Sequence, residues 1–254
     1  MDGQYDTLAS VYAWLVPDAL LEPDGAAAAF APAIASLPPG SRVLDCAAGT
    51  GQLAVGLARR GHRVVASDAS PAMIDSTRRL AARHDVRVEA VVCAWEDLAR
   101  VIEGPFDAVL CVGNSLTHAV GARGRRAALT QMCVVLGDEG TLAITSRNWE
   151  RLRTAAPRLE VGDRLVHRDG RAGLVIRAWT LADDWDAPHH VDVAVALVGS
   201  HGEIETVHER LTFHPFTYDQ LVRDLRAAGL EPVGTTYAPS EDRYLVAARR
   251  GAAP

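Results

Sequence analysis

The residues best suited to chemistry in this sequence surround a short turn of small residues. Asp45 follows the apolar pair Val43-Leu44, and Gly49 and Gly51 then complete the spacing D-x-x-x-G-x-G. A strand that runs through such a turn into a helix lets a ligand approach the backbone, and the helix N-terminus offers N–H groups that have no partner within the helix. The turn therefore predicts a nucleotide-binding site at the first strand of an α/β sheet.

A second carboxylate, Asp68, lies at the predicted end of the next strand, 17 residues after Gly51. A carboxylate at this place can accept both hydroxyls of a ribose, and charge-assisted hydrogen bonds of this kind contribute about 1.5–3 kcal/mol each. The alternative role of a helix N-cap suits Ser70 better, because Ser70 directly precedes the helix predicted to begin at Pro71. Asp68 is therefore predicted to bind the ribose of an adenosine ligand.

The turn at residues 49–54 also fits the dinucleotide pattern G-x-G-x-x-G/A, so an NAD(P)-binding oxidoreductase is an alternative. Asp45 disfavours it, because dinucleotide folds bring the first glycine almost directly after the strand. The stretch instead resembles motif I of the class I S-adenosylmethionine-dependent methyltransferases, with Ala47 in place of that family's first glycine. The resemblance implies that S-adenosyl-L-methionine is the cofactor, bound by residues in the N-terminal segment, in motif I and near the next three strand ends: Tyr5, Trp14, Asp45, Ala47, Gly49, Gly51, Asp68, Ala69, Met73, Trp95, Glu96, Asp97, Cys111 and Val112.

Two later segments resemble the glycine/sarcosine N-methyltransferases more narrowly. The pattern Gly-Asn-Ser-x-x-His at residues 113–118 is similar to the same segment of these enzymes, and Ser-Arg-Asn-Trp at residues 146–149 is similar to their His-Arg-Asn-Tyr. The resemblance implies that Asn114 and Arg147 bind an amino-acid acceptor, with Arg147 on its carboxylate. A planar guanidinium suits a carboxylate well.

His118 is the candidate catalytic residue and is also predicted to contact the acceptor. Methyl transfer to a neutral amine needs in-line approach of the nitrogen more than it needs a proton acceptor, and orientation alone can contribute ~7 kcal/mol or more. A positioning role for His118 is therefore favoured over a general base. Leu116-Thr117 and Ser146 depart from the family's Phe-Ala and His, so O- or C-methylation of a secondary metabolite is the alternative to N-methylation of an amine or amino acid.

The composition excludes several kinds of chemistry. All 26 basic residues among the 254 are arginine, which removes a lysine Schiff base and a Walker A lysine. A net charge of −6 disfavours a surface for duplex nucleic acid. Four cysteines without C-x-x-C spacing indicate reduced thiols in a cytoplasmic protein. No metal-ligand constellation is recognised in the sequence, and no apolar run reaches transmembrane length.

We therefore expect a cytoplasmic enzyme with a small-molecule acceptor, for which a carboxylate-bearing amine is a candidate, and no metal, nucleic-acid or membrane partner. A homo-oligomer is compatible with the sequence. The basic run at residues 123–126 is predicted to be a solvated helix start, and the His189-His190 pair a solvated turn.

Alternating strand and helix patterns predict the scaffold that positions these residues. They indicate a Rossmann-like, doubly wound α/β fold with a mostly parallel seven-stranded sheet and an antiparallel β insertion. Residues 1–40 are predicted to be an N-terminal helical flap, and residues 41–160 with 214–254 the methyltransferase core. The insertion, residues 161–213, is predicted to be a lid over the acceptor. Its predicted strands are residues 174–176, 191–198 and 204–213, with turns at Gly170, Gly173, Gly199 and Gly202.

Overall fold

The computed structural model describes residues 7–35, 37–155, 158–168, 170–199 and 201–251. The strands are β1 (Arg42–Asp45), β2 (Arg63–Asp68), β3 (Val88–Val92), β4 (Phe106–Cys111), β5 (Leu136–Arg147), β6 (Leu159–Val161), β7 (Val166–Arg168), β8 (Arg171–Thr180), β9 (His189–Val198), β10 (Ile204–Phe213), β11 (Leu230–Thr235) and β12 (Arg243–Arg250). The α-helices are α1 (Tyr12–Leu15), α2 (Pro23–Ala29), α3 (Ala31–Ile34), α4 (Gln52–Arg59), α5 (Pro71–Arg83), α6 (Leu98–Val101), α7 (Gly121–Val135), α8 (Trp149–Ala155) and α9 (Tyr218–Ala227).

The main sheet has seven strands in the order β3-β2-β1-β4-β5-β12-β11. Strand β12 is antiparallel to both of its neighbours, and the other pairings are parallel. The central strands β1 and β4 are short apolar runs, which suits strands that helices cover on both faces. This sheet, together with a separate antiparallel sheet, confirms the predicted fold class.

The second sheet has the order β10-β9-β8-β6, with β7 also paired to β8. Strand β9 alternates buried and half-buried residues, so one face of this sheet packs against the rest of the protein. Strand β8 continues through Gly173, where the sequence suggested a turn. A Cβ on Gly173 would lie 2.4 Å from Cδ1 of Trp14, so the glycine makes room for the indole within a strand.

An apolar cluster joins the second sheet to the N-terminal segment and to α8. Leu8, Val11 and Trp14 pack there with Trp149, the first residue of α8. The backbone N–H of Leu8 also donates to Oε2 of Glu209 in β10 at 3.0 Å. The N-terminal segment and the second sheet therefore share one core.

Two predictions about polar residues are corrected: the solvated turn at His189-His190 is wrong, and the solvated helix start at residues 123–126 holds for the exposed Arg123 and Arg126 but not for Arg125. His189 is the first residue of β9 and is fully buried, with its ring edge-on to Trp149 at 5.9 Å, rather than in a solvated turn. Arg125 is 3% exposed, and its Nε donates to Oδ2 of Asp224 at 2.6 Å. Helix α7 begins at Gly121, so Arg125 lies within the helix and faces α9. The predicted N-cap Ser70 is confirmed by its hydrogen bond from the N–H of the third helical residue.

Candidate active site

The predicted site residues gather at the carboxyl edge of the main sheet. Strands β1 and β4 are neighbours, whereas the chain passes through β2 and β3 between them, so their carboxyl ends form the point where the strand order reverses. Ligands of open α/β sheets bind in the crevice at such a point. The loops that follow β1, β2, β4 and β5 all leave from this edge.

Asp68 connects two of these loops. Its Oδ2 accepts the backbone N–H of Gly49 at 2.9 Å, and its Oδ1 accepts the backbone N–H of Ser70 at the same distance. The carboxylate therefore fixes the glycine turn after β1 against the start of α5. Its direct bond to a ribose stays a prediction.

The two glycines of the turn have different roles. Both have positive φ, +54° for Gly49 and +91° for Gly51, which favours glycine. A Cβ on Gly51 would lie 2.7 Å from Oγ1 of Thr77 in α5, whereas a Cβ on Gly49 would meet nothing within 4 Å. Gly51 thus permits close packing of α5, and Gly49 leaves space beside the backbone in which a ligand fits.

Asp45 is 1% exposed, and its Oδ1 has no hydrogen-bond partner among the described residues. Burial and the nearby carboxylate of Asp68 raise the pKa of Asp45 to about 7, against an opposing hydrogen bond from the backbone of Ala47. A buried carboxyl oxygen without a partner is costly. A bound ligand with a cationic or hydrogen-bond donor group would satisfy this oxygen. The amino group in the amino-acid part of S-adenosylmethionine is such a donor.

The segment after β3 contacts the glycine turn that follows β1. Trp95 is buried, and its Nε1 donates to the backbone oxygen of Cys46 at 2.7 Å. Glu96 and Asp97 are exposed, and Asp97 pairs with Arg100 at 2.9 Å on the surface. The structure thus gives Trp95 a contact with motif I, while the contacts of these three residues with the cofactor stay predictions.

The remaining predicted cofactor residues lie in different surroundings. Trp14 is buried against the second sheet, where its Nε1 donates to the backbone oxygen of Val166 at 3.2 Å. Tyr5 lies outside the described residues. Three other predicted residues are buried near the carboxyl edge of the sheet: Met73, Cys111 and Val112. Two more are half-buried: Ala47 and Ala69.

Sequence reasoning missed Tyr12 in α1. Burial raises the pKa of its hydroxyl, the carboxylate of Asp68 raises it further, and the guanidinium of Arg243 lowers it. Tyr12 therefore lies close to both charges, between the β2 end and the β12 start. The available signal was the aromatic character of the N-terminal segment, from which Tyr5 and Trp14 were chosen instead.

Asn114 connects the ends of β4 and β5. It has φ +74°, a left-handed conformation that asparagine adopts more readily than most residues, and it is 6% exposed. Its Oδ1 accepts the backbone N–H of Arg147 at 3.0 Å and the indole N–H of Trp149 at 3.2 Å. Its Nδ2 donates to Oγ1 of Thr117 at 3.1 Å. Asn114 is thus fixed by protein neighbours, and its predicted contact with the acceptor stays a prediction.

His118 contacts the second sheet. Its Nδ1–H donates to the backbone oxygen of Thr212 at 3.1 Å, and its ring lies 4.8 Å from that of Phe213. Burial lowers the pKa of His118 to about 4, although the Thr212 bond opposes the shift. The ring is therefore neutral at pH 7 and a weak proton acceptor.

Arg147 lies at the end of β5, with its guanidinium 5.4 Å from the centre of the Trp179 ring in the second sheet. Two further arginines share this region, since Arg147 lowers the pKa of both Arg177 and Arg243. No sequence pattern connects these three arginines, which come from three separate segments.

A separate cleft of about 410 Å³ opens beside α8. The guanidinium of Arg153 lies 4.1 Å from the Trp185 ring there. No predicted site residue lines this cleft, whose lining is Glu150, Arg153, Thr154, Arg158, Leu181, Ala182, Asp183 and Trp185.

Two general features concern the described part of the chain. Its histidine, cysteine and acidic residues do not form a group of three or more that could hold a metal ion. None of its helices is both long enough and apolar enough to cross a membrane.

Comparison with known proteins identifies the family. Residues 43–140 match the family model described as a methyltransferase domain. A glycine/sarcosine N-methyltransferase from Aphanothece halophytica is 30% identical over 203 residues, which cover 80% of this chain and 71% of the relative. The enzyme of the same name from Parasynechococcus marenigrum is 37% identical over 154 residues, or 61% of this chain, and the match spans 50% of that relative.

A solved structure shows the same fold over nearly the whole length. The CcbJ methyltransferase from Streptomyces caelestis superposes with a TM-score of 0.76 and 24% identity, covering 97% of each chain. The sequence matches replace the oxidoreductase alternative that the glycine spacing allowed. The chain belongs to the S-adenosylmethionine-dependent methyltransferases, in the family that includes the glycine/sarcosine N-methyltransferases.

Proposed function

We propose that the protein transfers a methyl group from S-adenosylmethionine to a nitrogen atom of a small amine or amino acid that carries a carboxylate. The observation that carries this proposal is the position of Arg147 at the carboxyl end of β5, with its backbone held by Asn114 and its guanidinium beside Trp179. A fixed guanidinium offers two parallel hydrogen bonds to a carboxylate. The relatives named for glycine and sarcosine support the same acceptor class.

The donor side is assigned to the motif I turn. The family's cofactor supplies an electrophilic methyl group on a sulfonium. In our proposal Asp68 binds the ribose of the cofactor, and the missing side chain at Gly49 lets the cofactor approach the protein backbone. The buried Oδ1 of Asp45 accepts a hydrogen bond from the amino group of the cofactor. These residues bind and orient the donor, while the second sheet, through Thr212 and Trp179, covers the acceptor side and excludes water.

The low basicity of His118 favours nitrogen over oxygen or carbon as the acceptor atom. A hydroxyl or carbon acceptor usually has to lose a proton before or during attack, and a group with a pKa of about 4 accepts that proton poorly at pH 7. An ammonium ion can lose its proton to bulk water before it binds, and the neutral amine then carries the lone pair that attacks the methyl group. We therefore place N-methylation ahead of O- or C-methylation.

A methyl-transfer panel tests the proposal. The purified protein is incubated with S-adenosylmethionine and, in turn, glycine, sarcosine, a neutral amine without a carboxylate, and a phenol, and products are identified by mass spectrometry. We expect methylation of the carboxylate-bearing amines and calorimetric binding of S-adenosylhomocysteine but not of NAD. Methylation of the phenol with none of the amines would overturn the proposal.

A further inference from the structure

Arg147 has an arginine as its direct neighbour in the main sheet. In the antiparallel pair of β5 and β12, Arg243 is the register partner of Arg147. Residues directly opposite each other in such a pair point to the same face, with Cα atoms roughly 4.5–5.5 Å apart. The side chains of Arg147 and Arg243 therefore extend from the same face of the sheet, at the end of β5.

A third arginine reaches the same region from the second sheet. Arg177 and Trp179 lie two residues apart on β8, so their side chains share a face, and the Trp179 ring is the one beside the Arg147 guanidinium. The mutual effects of the charges agree with this grouping. Burial and the charge of Arg147 lower the pKa of Arg177. Burial of the guanidinium, Arg147 and Arg177 lower the pKa of Arg243 to about 10, although much of the Arg243 surface is exposed.

Two of the three arginines, Arg177 and Arg243, have no direct side-chain partner within the described part of the chain. There, Arg177 and Arg243 form neither an ion pair nor a side-chain hydrogen bond. Two acids offset part of the charge. Glu160 raises the pKa of Arg177 and also accepts the indole N–H of Trp179 at 3.1 Å. Asp242 raises the pKa of Arg243 and also accepts the Nε–H of Arg151 at 2.7 Å. A group of like charges attracts an anion.

We propose that the acceptor carries a doubly charged anionic group, a dicarboxylate or a phosphate monoester, which Arg147, Arg177 and Arg243 bind together. This inference rests on the proposed function and deepens it, because one carboxylate needs only one bidentate guanidinium. The group lies next to the donor edge, since Tyr12 faces both Arg243 and Asp68. Arg177 and Arg243 are thus acceptor-binding residues that set the preferred acceptor charge.

Binding of small anions tests the inference without turnover. Calorimetry on the protein saturated with S-adenosylhomocysteine, at pH 8 and constant ionic strength, compares malonate, inorganic phosphate and acetate. We expect malonate and phosphate to bind at least tenfold more tightly than acetate. Arg177→Gln and Arg243→Gln should each weaken malonate and phosphate binding at least fivefold, and change acetate binding less than twofold. Equal affinity for malonate, phosphate and acetate would overturn the inference.

Matched variants separate binding from folding. Arg171→Gln on β8 and Arg249→Gln on β12 remove an arginine from the same strands outside the group and should leave dianion affinity unchanged; Arg171 is half-buried and pairs with Glu205, and Arg249 is exposed. Where Arg177→Gln lowers the melting temperature, Arg177→Lys keeps the charge and should retain most of the affinity. If the two control variants lost as much dianion affinity as Arg177→Gln and Arg243→Gln, the three-arginine group would have no specific role in dianion binding.

Methyl transfer then distinguishes the two sources of the dianion. Aspartate, O-phosphoserine and glycine are compared as acceptors, and the one with the highest kcat/KM identifies the source. Glycine methylated as well as either dianion would overturn the inference and leave the proposed function standing. Tight malonate binding without methylation of any amine would instead leave the anion site standing and refute the proposed function.

Discussion

The side-chain oxygen of Asn114 accepts both the backbone N–H of Arg147 and the indole N–H of Trp149, at 3.0 and 3.2 Å. Both partners are N–H donors, so the amide must present its oxygen to them. The side chain of Asn114, in the loop after β4, therefore positions the backbone of Arg147 at the end of β5 and the first residue of α8. In the proposed function, the acceptor side therefore depends on this contact as well as on the arginine itself.

Asn114→Ala should impair the acceptor side through this contact. The change leaves two N–H groups without their acceptor, and each buried unpaired group costs about 1–3 kcal/mol. We expect a lower melting temperature and a KM for the acceptor raised about tenfold or more, with donor affinity changed less than threefold. Calorimetry with S-adenosylhomocysteine and steady-state kinetics measure the two effects, and an unchanged acceptor KM would show that Asn114 does not position Arg147.

Arg147→Lys keeps the positive charge and removes the planar fork. The apparent affinity for a carboxylate-bearing acceptor should fall roughly tenfold or more, which is about 1.4 kcal/mol. Turnover should fall too, because a loosely held acceptor loses its in-line angle. The same change at the exposed Arg249 is the control. If the variant methylates a neutral acceptor almost as well as the wild type does, that compound does not bind through Arg147. If donor affinity falls as much as acceptor affinity, Arg147 maintains the fold instead of binding the acceptor.

Asp68→Ala should weaken donor binding about 10–100-fold, because charge-assisted bonds to a ribose are lost. The backbone N–H groups of Gly49 and Ser70 lose their acceptor as well, so a small drop in melting temperature is expected. Asp75→Ala, which removes only an exposed pair with Arg78, is the control. Unchanged affinity for S-adenosylhomocysteine in the folded Asp68→Ala variant would exclude Asp68 from the site.

His118→Asn distinguishes positioning from proton transfer. The Asn Nδ2 can replace the ring Nδ1–H as donor to the Thr212 carbonyl, so a positioning role predicts kcat within about tenfold of the wild type and a larger loss for His118→Ala. General-base catalysis predicts instead that both variants lose about 100-fold or more. Steady-state rates at saturating donor, measured from pH 6 to 9, decide between the two.

Asp45→Asn should stabilise the ligand-free protein at neutral and alkaline pH. The folded-state pKa of about 7 lies above the ordinary value of 3.8, so the folded protein holds the proton more tightly than the unfolded chain. The contribution of Asp45 to stability is therefore fully present below about pH 4 and is lost as the pH rises through 7. The variant's advantage in the free energy of unfolding should grow over that range to about 1–3 kcal/mol at pH 8. Denaturant melts at pH 4, 6 and 8 measure it, and a difference independent of pH would contradict the assigned pKa.

The main sheet could be predicted because its strands are apolar runs that end in small or acidic residues, as Val43-Leu44 does before Asp45. Strand β10 was likewise predicted at its observed bounds, Ile204–Phe213. Strand β8 was predicted short because Gly173 resembles a turn, and only the packed indole of Trp14 explains a glycine there.

The arginine group could not be predicted from the sequence. Arg177 is an ordinary strand residue until the second sheet is placed against the end of β5, and the pairing of Arg243 with Arg147 depends on the antiparallel register of β12. Such contacts arise from tertiary arrangement, so no local spacing indicates them. Tyr12 escaped prediction for the same reason, since its charged neighbours come from β2 and β12.

The shared core of the N-terminal segment and the second sheet has a kinetic consequence. Leu8 and Val11 hold the segment that carries Tyr12 beside Asp68, and they pack in the same cluster as Trp179 beside Arg147. In the proposed function the second sheet covers the acceptor, so a displacement that uncovers the donor edge must break contacts with that sheet. Release of S-adenosylhomocysteine and release of the methylated product are then coupled to one collective motion, and stiffening that core would slow both.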